Sequence, residues 1–80
     1  MTLKEAMAKR IYELCDDKGL NPSSLATICG MDRSTIYNVL GKKSQRPEVK
    51  TMKKICDGLE LTLGEFFSTP EFDALEQEIK

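Results

Sequence analysis

Residues 25–40, LATICGMDRSTIYNVL, decide how this chain folds. One apolar-periodic run is broken at Gly30, and a second run begins directly after Asp32. Glycine adopts a positive φ without a steric penalty, and aspartate is a strong N-cap because its side chain accepts hydrogen bonds from free helix amides. The stretch therefore predicts two short helices joined by a tight turn at Gly30, with the Asp32 side chain capping the second helix.

The second of these helices has an apolar side and a polar side. At 3.6 residues per turn, Ile36, Val39 and Leu40 share one side. The remaining surface carries residues that form hydrogen bonds readily: Arg33, Ser34, Thr35, Tyr37 and Asn38. Such side chains suit base edges in the major groove of DNA. The alternative is an ordinary helical hairpin in a small bundle.

Length and composition indicate one globular domain. The chain has 80 residues, of which 40% are hydrophobic and 31% charged, and these proportions are ordinary for a folded domain. No apolar run approaches the roughly 20 residues that a membrane-spanning helix needs. The amino-terminal residues mix charges with apolar positions, unlike a secretory signal. We therefore expect a cytoplasmic protein.

Charge is distributed unevenly along the chain, although the net charge is only −1. Residues 32–54 contain seven basic residues against two acidic ones, whereas residues 60–80 contain six acidic residues against one lysine. A local excess of positive charge attracts the phosphate backbone of nucleic acids, so the distribution matters more than the total. The basic cluster directly follows the polar helix and favours DNA as a partner. A solvated charged surface would account for part of it.

Capping signals recur along the chain and predict an all-α fold, a compact bundle of about five short helices. Thr2 and Glu5 have the spacing of a capping box, and Asn21 precedes a proline suited to the first helical position. Further helix starts are predicted at residues 47–48, at Thr62 with Glu65, and at Thr69-Pro70. The predicted inward stripes include Leu3, Met7, Ile11, Leu14 and Cys15 in the first helix, and Val49, Met52, Ile55, Cys56 and Leu59 in the fourth. We expect residues 1–68 to form the domain and residues 69–80 a short acidic C-terminal helix or tail.

Over residues 3–67 the chain resembles the phage repressor and Cro-like family of helix-turn-helix DNA-binding domains. The resemblance is carried by the order of the helices, the Leu25-Ala26 pair, the turn at Gly30, the basic loop ending at Pro47, and the segment LTLGEFF at residues 61–67. It implies a lambda-repressor-like fold. It also implies a sequence-specific transcriptional regulator that binds double-stranded DNA, with repression as the expected role.

The resemblance also assigns residues to the contact with DNA. In this family the start of the third helix reads bases, a role that carries over to Arg33, Ser34, Tyr37 and Asn38. Phosphate contacts carry over to a second set: Asn21, Ser23, Thr35, Lys42, Lys43, Ser44 and Arg46. Helix-terminal amides and flexible basic side chains suit phosphate oxygens, and the fixed fork of an arginine can grip guanine with two hydrogen bonds.

Three features depart from the family pattern. Pro22 replaces a glutamine that contacts phosphate and braces the helices in many relatives. The loop glycine, usually at the place of Lys42, is Gly41 here. Cys15 and Leu40 stand where relatives often bury an Arg–Glu pair, a replacement that avoids the cost of desolvating two charges.

A homodimer is expected on DNA, because one helix-turn-helix reads only a few base pairs and a two-fold dimer doubles them. Apolar residues after Gly64 would supply the contact: Phe66, Phe67, Phe72, Leu75 and Ile79. The alternative is that this stripe folds back onto its own domain.

Enzymatic chemistry is not expected, since the chain has no histidine, no glycine-rich phosphate loop and no carboxylate pair that a pocket could enclose. Cys15, Cys29 and Cys56 are interpreted as small buried hydrophobes rather than as metal ligands or disulfide partners. No catalytic residue, metal, cofactor, small-molecule ligand or membrane partner is predicted.

A fold alone does not determine function. The alternative to a DNA-binding regulator is an antitoxin-like or other protein-interaction module on the same scaffold.

Overall fold

A computed structural model describes residues 2–41, 48–75 and 79 of the chain, and within these ranges it contains helices and no strand. The helices are α1 Leu3–Lys18, α2 Pro22–Cys29, α3 Arg33–Leu40, α4 Val49–Gly58, α5 Leu63–Phe67 and α6 Pro70–Asp73. The predicted all-α fold is confirmed. None of the described helices is long and apolar enough to cross a membrane.

Helix α1 begins and ends as its capping residues predict. The Thr2 hydroxyl accepts a hydrogen bond from the Glu5 amide at 3.1 Å, and the Glu5 carboxylate accepts one from the Thr2 amide at 3.0 Å. This reciprocal pair satisfies two donors that have no partner inside the helix. Gly19 ends the helix with a φ of 67°, a left-handed conformation that glycine adopts at little cost.

Helix α2 and the turn after it also follow the sequence pattern. The side-chain oxygen of Asn21 accepts a hydrogen bond from the Ser24 amide at 2.8 Å, with Pro22 at the first helical position. Gly30 ends the helix with a φ of 68° and turns the chain toward α3. The predicted helix, tight turn and helix are therefore present.

The predicted side-chain cap of α3 is wrong. Asp32 occupies the N-cap position, but its side chain makes no capping hydrogen bond. Its backbone carbonyl instead accepts the amides of Thr35 and Ile36 at 3.0 and 3.4 Å. Asp32 is exposed and lines a groove together with Glu48, Lys50 and Lys54.

The core lies where the first five helices meet. Its buried members are Met7, Ile11, Leu14, Cys15, Leu25, Ala26, Ile36, Val39, Met52, Ile55, Cys56, Leu59 and Phe66. Helix α2 contacts both α3 and α4, and α1 lies against α3, so α3 is held from two sides. Two members of the predicted stripes are not inward: Leu3 is 44% exposed and Val49 is 73% exposed. Each is the first residue of its helix, and only the following turn reaches the core.

Hydrogen bonds and an ion pair join α1 to the helices α5 and α6. Arg10 donates from Nε to the Phe66 carbonyl at 2.9 Å and from Nη2 to the Glu65 carbonyl at 3.0 Å. These carbonyls lie in the last turn of α5, where they have no partner inside the helix. Lys9 forms an ion pair with Glu71 of α6 at 2.8 Å, and this hydrogen bond and charge raise the pKa of Lys9. The helices after residue 62 therefore pack on the same chain.

Candidate nucleic-acid interface

The polar side of α3 faces outward, as the periodicity predicts. Ile36 and Val39 are buried, and Leu40 is half-buried against the core. The exposed side chains of α3 are those predicted to read bases: Arg33, Ser34, Tyr37 and Asn38. The ion pairs found among the described residues, Lys9–Glu71 and Lys53–Asp57, do not involve Arg33. The structure thus brings the four predicted base readers together on one exposed surface.

The start of α2 lies beside this surface. The Ser23 hydroxyl is 3.5 Å from the Tyr37 hydroxyl of α3, and the Ser23 carbonyl accepts a hydrogen bond from the Thr27 hydroxyl at 3.2 Å. Asn21 is exposed at the N-cap, and Ser23 is half-buried in the first turn. The amide donors and partial positive charge of a helix N-terminus favour anions. Two predicted phosphate contacts therefore stand next to a predicted base reader.

Thr35 lies on the other flank of α3 and is half-buried. It lines a groove between α3 and α4 together with Thr51, Lys50 and Lys54. Asp32 and Glu48 line the same groove, so its charges balance. A phosphate at this flank would meet hydroxyls and lysines but also two carboxylates.

The remaining predicted phosphate contacts lie outside the described residues. They are Lys42, Lys43, Ser44 and Arg46 of the basic loop. Gly41, the last described residue before them, is the C-cap of α3, and its amide donates to the Tyr37 carbonyl at 2.8 Å. The described chain therefore ends, on this side, three residues after the exposed Asn38.

One cation beside α3 is not indicated by the sequence pattern. The Lys4 ammonium on α1 donates a hydrogen bond to the backbone carbonyl of Asn38 at 3.2 Å. The two residues are 34 positions apart, and only the packing of α1 on α3 brings them together. A lysine in the first turn of a helix gives no signal of such a contact.

Metal and thiol chemistry find no support in the described part of the chain. No group of three or more His, Cys, Asp or Glu residues is placed there to hold a metal ion. Cys15 and Cys56 are buried, Cys29 is half-buried, and all three are free thiols. Burial raises the pKa of each thiol, which keeps it protonated and poorly nucleophilic.

The residues predicted to form a dimer contact fall into three groups. Phe66 is fully buried in the core of its own chain, so it is not available to a second copy. Phe67 and Phe72 are half-buried, and their ring centroids lie 5.0 Å apart in an edge-to-face contact. Leu75 is partly exposed, and Ile79 is 89% exposed. Most of these apolar residues therefore pack on their own chain, while Ile79 remains exposed.

Comparisons with known proteins agree with this geometry. The family model of the Cro/C1-type HTH DNA-binding domain matches residues 10–71, which include the whole of α2 and α3. A solved structure, described as the crystal structure of the prophage Lp1 protein 11, superposes with a TM-score of 0.83 at 27% sequence identity. The superposition covers 94% of this chain and 99% of that one. No curated protein sequence matches the chain significantly.

Proposed function

Because the chain belongs to the Cro/C1-type helix-turn-helix DNA-binding family, we propose that it is a transcriptional repressor that reads specific double-stranded DNA through α3. The observation that carries the proposal is the exposure of Arg33, Ser34, Tyr37 and Asn38 on one surface of that helix. Repression needs no further activity, because a domain bound over a promoter excludes other proteins from the same base pairs.

Base reading is assigned chiefly to Arg33 and Asn38. Arginine presents two parallel donors to the O6 and N7 atoms of guanine, and asparagine pairs in the same way with adenine. Arg33 opens α3, and Asn38 lies five positions later on the exposed surface. A helix lying in the major groove would therefore present a planar, hydrogen-bonding side chain near each of its ends.

Phosphate contacts are assigned to both flanks of α3. Asn21 and Ser23 stand at the N-terminus of α2, and Thr35 faces α4. The basic loop adds Lys42, Lys43, Ser44 and Arg46, whose charges attract the backbone of any sequence. In this arrangement the flanking contacts position α3 while its exposed side chains discriminate among bases.

A homodimer on DNA remains part of the proposal, with a smaller contact than the apolar stripe predicts. Two copies related by a two-fold axis would place their α3 helices about 34 Å apart, one helical turn of DNA. The contact is assigned to Leu75, Ile79 and the exposed parts of Phe67 and Phe72.

The double variant Leu75→Glu, Ile79→Glu should sediment as a monomer on operator DNA. The control Ile28→Glu, at another exposed apolar position, should still dimerise. If both variants dimerise on operator DNA, Leu75 and Ile79 do not form the dimer contact.

The function is tested by selecting bound duplexes from random DNA, which should enrich one palindromic sequence. Arg33→Ala and Asn38→Ala should each cost about 1–3 kcal/mol on that duplex and little on a scrambled one. Lys18→Ala, which removes a charge at the far end of α1, should change neither affinity. If Arg33→Ala and Asn38→Ala lose affinity equally on both duplexes, α3 does not read sequence. That result would favour the protein-interaction module.

A further inference from the structure

We propose that Lys4, in the first turn of α1, is a further DNA contact whose ammonium holds a phosphate of the duplex beside the end of α3. The inference deepens the proposed function and rests on it. Its starting point is the hydrogen bond of 3.2 Å from Lys4 Nζ to the backbone carbonyl of Asn38.

This hydrogen bond fixes where the charge lies. Asn38 is in the last turn of α3, and the last four carbonyls of a helix have no partner inside it. They carry the partial negative charge of the helix end, which attracts a cation. Lys4 is half-buried and lines a groove with Ala8 and Leu40, so its aliphatic stem lies along apolar surface while the ammonium reaches α3.

The ammonium keeps donors for a second partner. A lysine has three N–H donors, and the contact with Asn38 uses one. The acid next to it, Glu5, also lines the groove, but its carboxylate accepts the Thr2 amide in the capping box of α1. An anion that approaches the end of α3 would therefore meet the Lys4 ammonium rather than bare carbonyls.

The position suits a phosphate of the DNA backbone. Asn38 is exposed on the surface assigned to base reading. Its backbone carbonyl would therefore lie near the bases that its side chain contacts. The major groove is about 12 Å wide and is bordered by phosphates on both sides. A cation anchored on the backbone of a residue inside that groove is within a side chain's reach of its border. Lys4 would thus hold the backbone near the C-terminal end of α3, as the start of α2 does near Tyr37.

The test compares Lys4→Met, which keeps the stem and removes the charge, with Lys4→Arg, which keeps the charge. Lys18→Met is the matched control, because it removes the same charge from the same helix about 21 Å away, at 1.5 Å per residue. Affinities for the selected duplex and a scrambled one are measured by fluorescence anisotropy at salt concentrations from 50 to 200 mM. Thermal melting of each variant is recorded beside them.

One phosphate contact changes the slope of log affinity against log salt by about 0.9. Lys4→Met should therefore weaken binding to both duplexes by a similar factor. When the salt concentration rises fourfold, from 50 to 200 mM, the affinity of Lys4→Met should fall by a factor about 3.5 times smaller than the affinity of the parent does. Lys4→Arg and Lys18→Met should keep the parent's slope.

Two results would overturn the contact while the proposed function stands. In the first, Lys4→Met loses affinity only on the selected duplex with an unchanged slope, so that Lys4 merely positions Asn38. In the second, Lys4→Met binds like Lys18→Met. If Lys4→Met melts earlier than the parent, the salt titration is run at a temperature where both proteins are fully folded, and an unchanged slope for Lys4→Met there also overturns the contact. A parent chain that binds neither duplex would overturn both the function and the contact.

Discussion

The Tyr37 hydroxyl on α3 lies 3.5 Å from the Ser23 hydroxyl on α2, so a polar contact joins the two helices of the helix-turn-helix at their exposed edge. In many proteins of the family that the sequence resembles, a glutamine at the first position of α2 holds the helices together. Pro22 occupies that position here and offers neither an N–H nor a polar side chain. Tyr37 and Ser23 provide another route for a contact between the start of α2 and α3.

Tyr37→Phe removes the hydroxyl and leaves the ring. We expect the free energy of unfolding to fall by about 0.5 kcal/mol, the low end for a hydrogen bond, because the contact is long and exposed. Tyr12→Phe is the control, since Tyr12 is 46% exposed and Tyr37 is 49% exposed. Urea denaturation of both variants checks the difference. Combining Tyr37→Phe with Ser23→Ala should cost less than the sum of the two changes, and full additivity would show that the hydroxyls do not interact.

Helices α2 and α4 come into close contact at Gly58 and Cys29. A Cβ atom on Gly58 would lie 3.3 Å from the Cys29 Cα and within overlapping distance of its sulfur. The half-buried Cys29 sulfur lies 3.9 Å from the Ile55 carbonyl, so α4 flanks it at two places. A residue with a side chain would fit at this crossing only if Cys29 shifted.

Gly58→Ala should therefore destabilise the fold by about 1–3 kcal/mol, the usual cost of forcing an extra carbon into a packed contact. Gly64→Ala is the control, because its added Cβ would meet only the Thr62 hydroxyl oxygen at 3.8 Å. In α5 that change should be neutral or stabilising by up to about 1 kcal/mol, since alanine is the better helix former. Melting curves of both variants test the pair. A Gly58→Ala protein as stable as Gly64→Ala would mean that α2 and α4 are further apart.

Glu60 has a φ of 60°, a left-handed conformation that costs an L-residue with a side chain about 1–2 kcal/mol. It follows Leu59, the C-cap of α4, and the amide of Leu61 donates to the Cys56 carbonyl at 2.8 Å across this turn. Glu60→Gly should stabilise the fold by about 0.5–1 kcal/mol, because relief of strain exceeds the added flexibility of the unfolded chain. Denaturant titration measures it, with Glu60→Ala as the control that keeps the strain. Equal stabilities for the glycine and alanine variants would contradict a strained turn.

The ends of the helices are the best-predicted part of this fold, because capping involves residues only three or four positions apart. Thr2, Asn21 and Thr62 all cap as expected. Asp32 does not, although it has the same side-chain chemistry as a strong N-cap. Asp32 lies in a groove formed with α4, and the local pattern contains no information about that groove.

The same limit applies to the candidate interface. Periodicity alone separates the exposed Arg33 and Asn38 from the buried Ile36, because all three lie on one helix. It does not reveal that Lys4 stands beside Asn38, since the packing of α1 on α3 decides that contact. The burial of Phe66 has a similar cause, because Arg10 and the core hold α5 against its own chain.

The capping box of α5 makes stability depend on pH through Glu65. Its carboxylate accepts the Thr62 amide at 2.9 Å, and hydrogen bonds from the Thr62 backbone and hydroxyl hold the pKa of Glu65 below its ordinary value of 4.5. A carboxyl whose pKa is lower in the folded state stabilises the fold above the unfolded pKa. That contribution is lost as the pH falls below 4.5 and through the folded pKa.

Comparison of the parent with Glu65→Gln and Glu65→Ala should isolate this contribution. Glutamine can still accept the Thr62 amide but does not titrate, whereas alanine removes the hydrogen bond at every pH. At pH 7 both the parent and Glu65→Gln should therefore melt above Glu65→Ala. Between pH 4.5 and pH 3 the parent should approach Glu65→Ala, while the difference between Glu65→Gln and Glu65→Ala stays constant, because the titration of all other groups is common to the three proteins. Melting temperatures measured across this range provide the check. A difference between the parent and Glu65→Ala that does not change with pH would show that the Glu65 carboxylate makes no stronger contact in the folded chain than in the unfolded one.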